Sequence, residues 1–82
     1  MALAQETASK GITVNSISPG FIDTEMVESI PDEQRNKIIA AIPVQRIGQP
    51  QDIANAVAFL ASAESSYITG VNLAVNGGIF MH

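Results

Sequence analysis

The stretch "PQDIANAVAFLAS", residues 50–62, sets the tightest limit on what this chain can fold into. Pro50 suits the first position of a helix, and Asp52 complements the positive end of the helix dipole. Ile53, Ala56, Val57 and Leu60 form one stripe, while Ala54, Ala58, Phe59 and Ala61 cover much of the remaining surface. Only Gln51, Asp52, Asn55 and Ser62 are clearly polar. A helix that is apolar nearly all round is buried on more than one side. The chain has 82 residues, and a domain of that size buries only about 60% of the surface its unfolded chain exposes. Too little chain is present to cover this helix. The rest of a larger fold, or another subunit, must help.

The remaining elements are consistent with that expectation. "ALAQETASKG" reads as the last turns of a helix, with Gly11 where a left-handed C-terminal residue belongs. No capping residue precedes it, which suggests a piece of something longer. "ITVNSIS", 12–18, is rich in β-branched residues and lacks strict alternation, so it is expected as a short strand covered on both faces. Pro19-Gly20 breaks it, and residues 21–30 look irregular. "PDEQRNKIIAAI", 31–42, has Pro at its start, acids in its first turn, and Ile38, Ile39 and Ile42 on one stripe. That predicts a short amphipathic helix ended by Pro43. "VQRIGQ" is a linker. "VNLAVN", 71–76, alternates with Val71, Leu73 and Val75 on one face, and Gly77-Gly78 ends it. Helix, strand, helices, strand is the order of a parallel pair joined by a helical crossover. Two strands alone do not make a stable parallel sheet.

Composition excludes several functions. Net charge is −4, and the four cations Lys10, Arg35, Lys37 and Arg46 are scattered, so no phosphate-backbone binder is expected. Three Phe and one Tyr do not make a base-stacking platform. The absence of Cys removes disulfides, thiolate nucleophiles and Cys-based zinc sites together. No apolar run approaches membrane-spanning length and no basic-then-apolar leader opens the chain. The expectation is a soluble cytoplasmic protein without nucleic-acid or membrane partners.

The stretches "ALAQETASKGITVNSISPGFIDTEM", "IGQPQDIANAVAFLAS", "SSYITGVNLAVNGG" and the tail "GIFMH" resemble the C-terminal part of a short-chain dehydrogenase/reductase. Within that superfamily they are most similar to the 3-oxoacyl-acyl-carrier-protein reductases of type II fatty acid synthesis; acetoacetyl-CoA reductases and sugar or steroid relatives have similar tails. The resemblance runs from Ala2 to the end. It implies an α/β fold: the C-terminal part of a Rossmann-like doubly wound parallel sheet, with two strands and flanking helices. Residues 1–82 would be one segment of a single domain, with a lid at 21–48.

The resemblance also fixes what is missing. The family holds its cofactor pyrophosphate on a Gly-rich turn and does its chemistry with Asn, Ser and a Tyr-x-x-x-Lys pair. None of these is found here. Tyr67 has Val71 rather than Lys four residues on, and "TGVNLAV" has Ala74 and Asn76 where a Gly-rich turn needs Gly. No catalytic residue is therefore assigned, and no metal; some relatives carry an acid at the position of Val71. NADP is the implied cofactor of the full-length enzyme and is not expected to bind this segment alone. The residues that choose NADP over NAD lie upstream.

Four residues are implied as cofactor contacts: Pro19, Gly20, Ile22 and Thr24. The backbone N–H of Ile22 would bond the nicotinamide carboxamide. The Thr24 hydroxyl would reach the carboxamide or the pyrophosphate, and Gly20 would let the backbone approach the ring. On pattern alone the same residues could be a surface turn followed by a helix-starting Thr. In the lid, Met26, Val27 and Ile30 would face an acyl chain. Arg35 and Lys37 would meet an acidic carrier protein, or simply lie on a solvated helix face. Residues 50–62 and 71–76 would pair subunits of a homo-oligomer. His82 is read as a solvated chain end, although family tails reach toward a neighbouring active site.

Two functions compete on this basis. One is a segment of an NADP(H)-dependent 3-oxoacyl-acyl-carrier-protein reductase, inactive in isolation. The other is a non-catalytic assembly piece that persists by oligomerising through its apolar helix and strand.

Overall fold

The structure is a computed structural model and describes residues 1–79. His82 and the two residues before it fall outside the described residues. Helix α1 (Ala2–Thr7) passes through a single 3-10 turn at Ala8–Lys10 and stops at Gly11, which is left-handed with φ 76°. Strand β1 covers Ser16–Pro19, and two short helices follow, α2 (Glu25–Glu28) and α3 (Asp32–Ala41). Helix α4 (Pro50–Ala61) leads to a 3-10 turn at Ala63–Ser65 and then to β2 (Asn72–Val75).

The two strands pair in parallel, Ser16 beside Asn72 through Pro19 beside Val75. The crossover between them carries the helices. This is the α/β arrangement expected, a piece of a Rossmann-like sheet. The strand starts later than the sequence suggests, because side chains interrupt the ladder over its first residues, where Gly70 N–H to Val14 C=O at 2.8 Å is a backbone bond between the two segments. Val14 N–H donates to Thr69 Oγ1 at 3.0 Å, and the Asn15 carboxamide accepts from Val71 N–H at 3.1 Å. It also ends later, at Pro19. Ser16 and Gly20 donate toward β2, so alternation turns the missing Pro19 N–H to the other edge, where no strand pairs among the described residues.

Only one face of the sheet is covered, contrary to the expectation for β1. Helix α4 packs on the face carrying Ile17, and an open cleft separates Ile17 and Asn15 from Val57 and Leu60. The opposite face is polar and bare. Asn72 Oδ1 there accepts from both Ser16 Oγ and Ser18 Oγ, at 2.9 and 3.0 Å. No other element among the described residues reaches this face.

The core is small and lies beside the sheet rather than under it. Val27, Ile42 and Ile47 are buried together, with Phe21, Ile38, Ile39 and Ile79 packed around them. The Gly77-Gly78 turn seats against Ile42, Pro43 and Val44, and Gly77 C=O accepts from Val44 N–H at 3.1 Å. No residue of α4 is buried, and Val57 and Phe59 stand half exposed. The radius of gyration is 15.6 Å, against ~12 Å for a compact chain of this length. Accessible surface is 5923 Å², against about 4,700 Å² for a folded monomer of this mass. Apolar surface that a finished domain would cover is left open. No helix among the described residues is long and apolar enough to cross a membrane.

Candidate functional site

The site lies where both strands end. Gly20 N–H continues the ladder to Val75 C=O at 3.0 Å, and a Cβ on Gly20 would lie 2.8 Å from both Cα and Cβ of Asn76. Glycine is required here because the end of β2 comes this close.

After Gly20 the chain leaves β2 and pairs with the linker before α4. Ile22 and Gly48 form an isolated parallel bridge. Gly48 N–H donates to Phe21 C=O at 2.9 Å, and Asp23 N–H donates to Gly48 C=O at 2.8 Å. The groups on either side of Ile22 are thereby used, and parity turns the N–H and C=O of Ile22 itself to the other edge. Neither has a partner among the described hydrogen bonds. A free donor and a free acceptor on one partly buried residue are what a primary amide needs.

Thr24 caps α2. Its Oγ1 accepts from Val27 N–H at 3.5 Å, a long contact that leaves the hydroxyl proton free to donate. The structural and ligand-binding readings of Thr24 are therefore compatible. Asp23, beside it, was not singled out from sequence. Its Oδ1 is buried without a hydrogen-bond partner and lies 3.7 Å from Arg35 Nη2. Arg35 thus turns inward to an ion pair, whereas Lys37 is exposed.

The lid residues are not brought to one place. Val27 is buried in the core, Ile30 is partly buried and Met26 is 80% exposed. The segment 21–48 is nevertheless a closed loop, since the Ile22–Gly48 bridge joins its two ends.

A cavity of about 270 Å³ opens between this bridge, the start of α4 and the turn after β2, lined by Phe21, Ile22, Val44, Gly48, Asn76 and Gly77 among others. Arg46 and Asp52 form its charged wall. Arg46 Nη1 donates to Asp52 Oδ2 at 2.9 Å, and Gln49 N–H donates to the same oxygen at 2.7 Å. The Arg46 hydrogen bond, then that of Gln49, holds the Asp52 carboxyl below the usual carboxylate range; the Arg46 guanidinium is raised by its bond to Asp52. Sequence reasoning missed this pair. The available signal was "RIGQPQD", which places an Arg and an acid around a Gly at a helix start. Among the described residues no group of three acidic, His or Cys side chains is placed to hold a metal.

The family model described as Enoyl-(Acyl carrier protein) reductase matches residues 1–80. The chain belongs to the short-chain dehydrogenase/reductase family. This dehydrogenase/reductase chain is 61% identical over 82 residues to an acetoacetyl-CoA reductase of Allochromatium vinosum, covering 100% of the chain and 33% of that protein. It is 58% identical over 80 residues to the 3-oxoacyl-[acyl-carrier-protein] reductase FabG of Escherichia coli, and 54% identical over 80 to that of Vibrio cholerae, each match covering 98% of the chain and 33% of the relative. It spans about a third of the length of the curated relatives it matches.

Proposed function

We propose that this chain serves as the C-terminal segment of an NADP(H)-dependent 3-oxoacyl-acyl-carrier-protein reductase in the cytoplasm, supplying nicotinamide clamp, lid and subunit interface. The observation that carries the clamp is Ile22, whose N–H and C=O are free on one edge while its neighbours are fixed to Gly48. A nicotinamide carboxamide offers an acceptor oxygen and N–H donors that complement this pair. Thr24 Oγ stands two residues on with a proton to donate. Pro19 and Gly20 set the turn that delivers Ile22, Gly20 through its contact with Asn76. Bound NADPH would supply the hydride for the β-ketone. What these residues do is orient: fixing the carboxamide fixes which ring face meets the substrate, and orientation supplies much of such a rate. Proton transfer and carbonyl polarisation need Tyr, Lys and Ser from the remainder of a full-length enzyme.

The loop 21–48, necked at Ile22–Gly48, is the lid, with Met26 and Ile30 as its acyl-facing candidates. Val27 contributes through the lid's own core. Helix α4 and β2, left open here, are the faces that meet other subunits. A non-catalytic assembly piece is favoured by the same open faces, and Val57 and Phe59 are what it would use.

The deciding experiment fuses the 82 residues to the upstream two-thirds of the Escherichia coli relative. The fusion should reduce a 3-oxoacyl thioester with NADPH, and the chain alone should show neither turnover nor saturable NADPH binding. A folded but inactive fusion contradicts the enzyme reading; micromolar binding by the chain alone contradicts the need for the Gly-rich half.

A further inference from the structure

Resting on the reading of Ile22 as the carboxamide contact, we propose that Asp52 and Arg46 are positioning residues for the cofactor, acting through Gly48. Residues 21–23 lie outside any regular strand, and the only element among the described residues that fixes their backbone on that edge is Gly48. Where the Ile22 N–H points therefore depends on where Gly48 is held.

Gly48 is held from both sides. On its N-terminal side, Ile47 is buried in the core, and its C=O accepts from Arg46 Nη1 at 3.4 Å. On its C-terminal side, Gln49 N–H donates to Asp52 Oδ2. The same oxygen takes Arg46 Nη1, while Oδ1 takes Arg46 Nη2 at 3.4 Å. One carboxylate in the first turn of α4 thus ties the residues flanking Gly48 to a rigid element. An exposed ion pair contributes little to stability. This one has a geometric consequence instead, because it borders the same cavity as Ile22 and Gly48. The position a Cβ on Gly48 would take is 3.6 Å from Asp52 Oδ2 and 2.8 Å from Ile22 Cδ1, so carboxylate, glycine and clamp are in direct succession.

The test compares dissociation constants of NADPH and its thionicotinamide analogue, whose sulfur is a poor acceptor, in the full-length fusion. Without substitution, the analogue should bind roughly fivefold more weakly, the worth of one ordinary hydrogen bond. In Asp52→Ala that ratio should fall below about twofold, and Asp52→Glu, which keeps a carboxylate, should restore it. Arg46→Ala, which leaves the Gln49 contact in place, is the second variant should Asp52→Ala not fold; its ratio should fall as well. General loss of structure weakens both ligands equally and leaves the ratio unchanged. An undiminished ratio in the variants overturns the brace while the Ile22 contact stands. A ratio of one in the unsubstituted fusion overturns the Ile22 contact and the brace with it.

Discussion

Gly48 and Ile22 meet in a parallel bridge so close that a Cβ on Gly48 would lie 2.8 Å from Ile22 Cδ1. The Gly48 backbone is not left-handed, so contact alone is at stake. Gly48→Ala should therefore cost little, because Ile22 Cδ1 is the far end of a flexible side chain and can turn aside, whereas Gly48→Pro removes the N–H that holds Phe21 C=O. In the full-length fusion, Gly48→Pro should lower NADPH affinity by at least the roughly fivefold worth of one hydrogen bond. Unchanged affinity in isothermal titration would show that the bridge does not set the clamp.

Arg35 and Lys37 should separate, although they lie two residues apart. Arg35 is paired with Asp23, next to Ile22, whereas Lys37 is exposed. In the full-length fusion, Lys37→Ala should raise KM for carrier-protein substrates and leave small ketones unaffected. Arg35→Ala should impair both, since it removes the cation paired with the buried Asp23 oxygen among the described residues. Steady-state kinetics with the two substrate types decides this, and equal losses from Lys37→Ala would remove the carrier-protein role.

Much of the fold was legible because its signals are local. Pro50 and Asp52 mark α4, and Gly11 marks the end of the first helix, each within one turn of chain. The apolar girth of α4 also announced that this chain could not cover it. The one-turn helix α2 was missed because four residues show no period. The reasons behind the site were less readable, since they are long-range. Nothing near Gly20 in sequence says that Asn76 will lie against it, and nothing near Ile22 points to Gly48. Arg35 read as a surface cation because Asp23 becomes its neighbour only once residues 21–48 have folded back. The resemblance named Ile22 and Thr24, and only the geometry shows why the Ile22 amide has no partner among the described residues.

Acid should loosen the linker before α4. Arg46 and then Gln49 hold the folded Asp52 carboxyl below its ordinary value of 3.8. Its contribution is fully present above that value and is lost as pH falls through the lower folded one. Asp52→Asn should lower stability at neutral pH and flatten the acid limb of a denaturant-midpoint profile. A variant whose limb parallels the parent's would show that Asp52 does not contribute to it.

The open apolar surface of α4 predicts self-association of the chain by itself. Val57 and Phe59, on opposite sides of the helix, are 51% and 54% exposed, and surface of this kind seeks a partner. Sedimentation of the 82-residue chain should show oligomers that weaken in Val57→Ser with Phe59→Ser. A monomer at high concentration would leave that surface without a role in assembly.

The central claim, that Ile22 holds the nicotinamide carboxamide, is tested most directly by isotope-labelling isoleucine amides in the full-length fusion and titrating with NADPH. The account predicts a downfield shift of the Ile22 amide proton, diminished with the thionicotinamide analogue. An Ile22 amide that saturating NADPH leaves unmoved would contradict it.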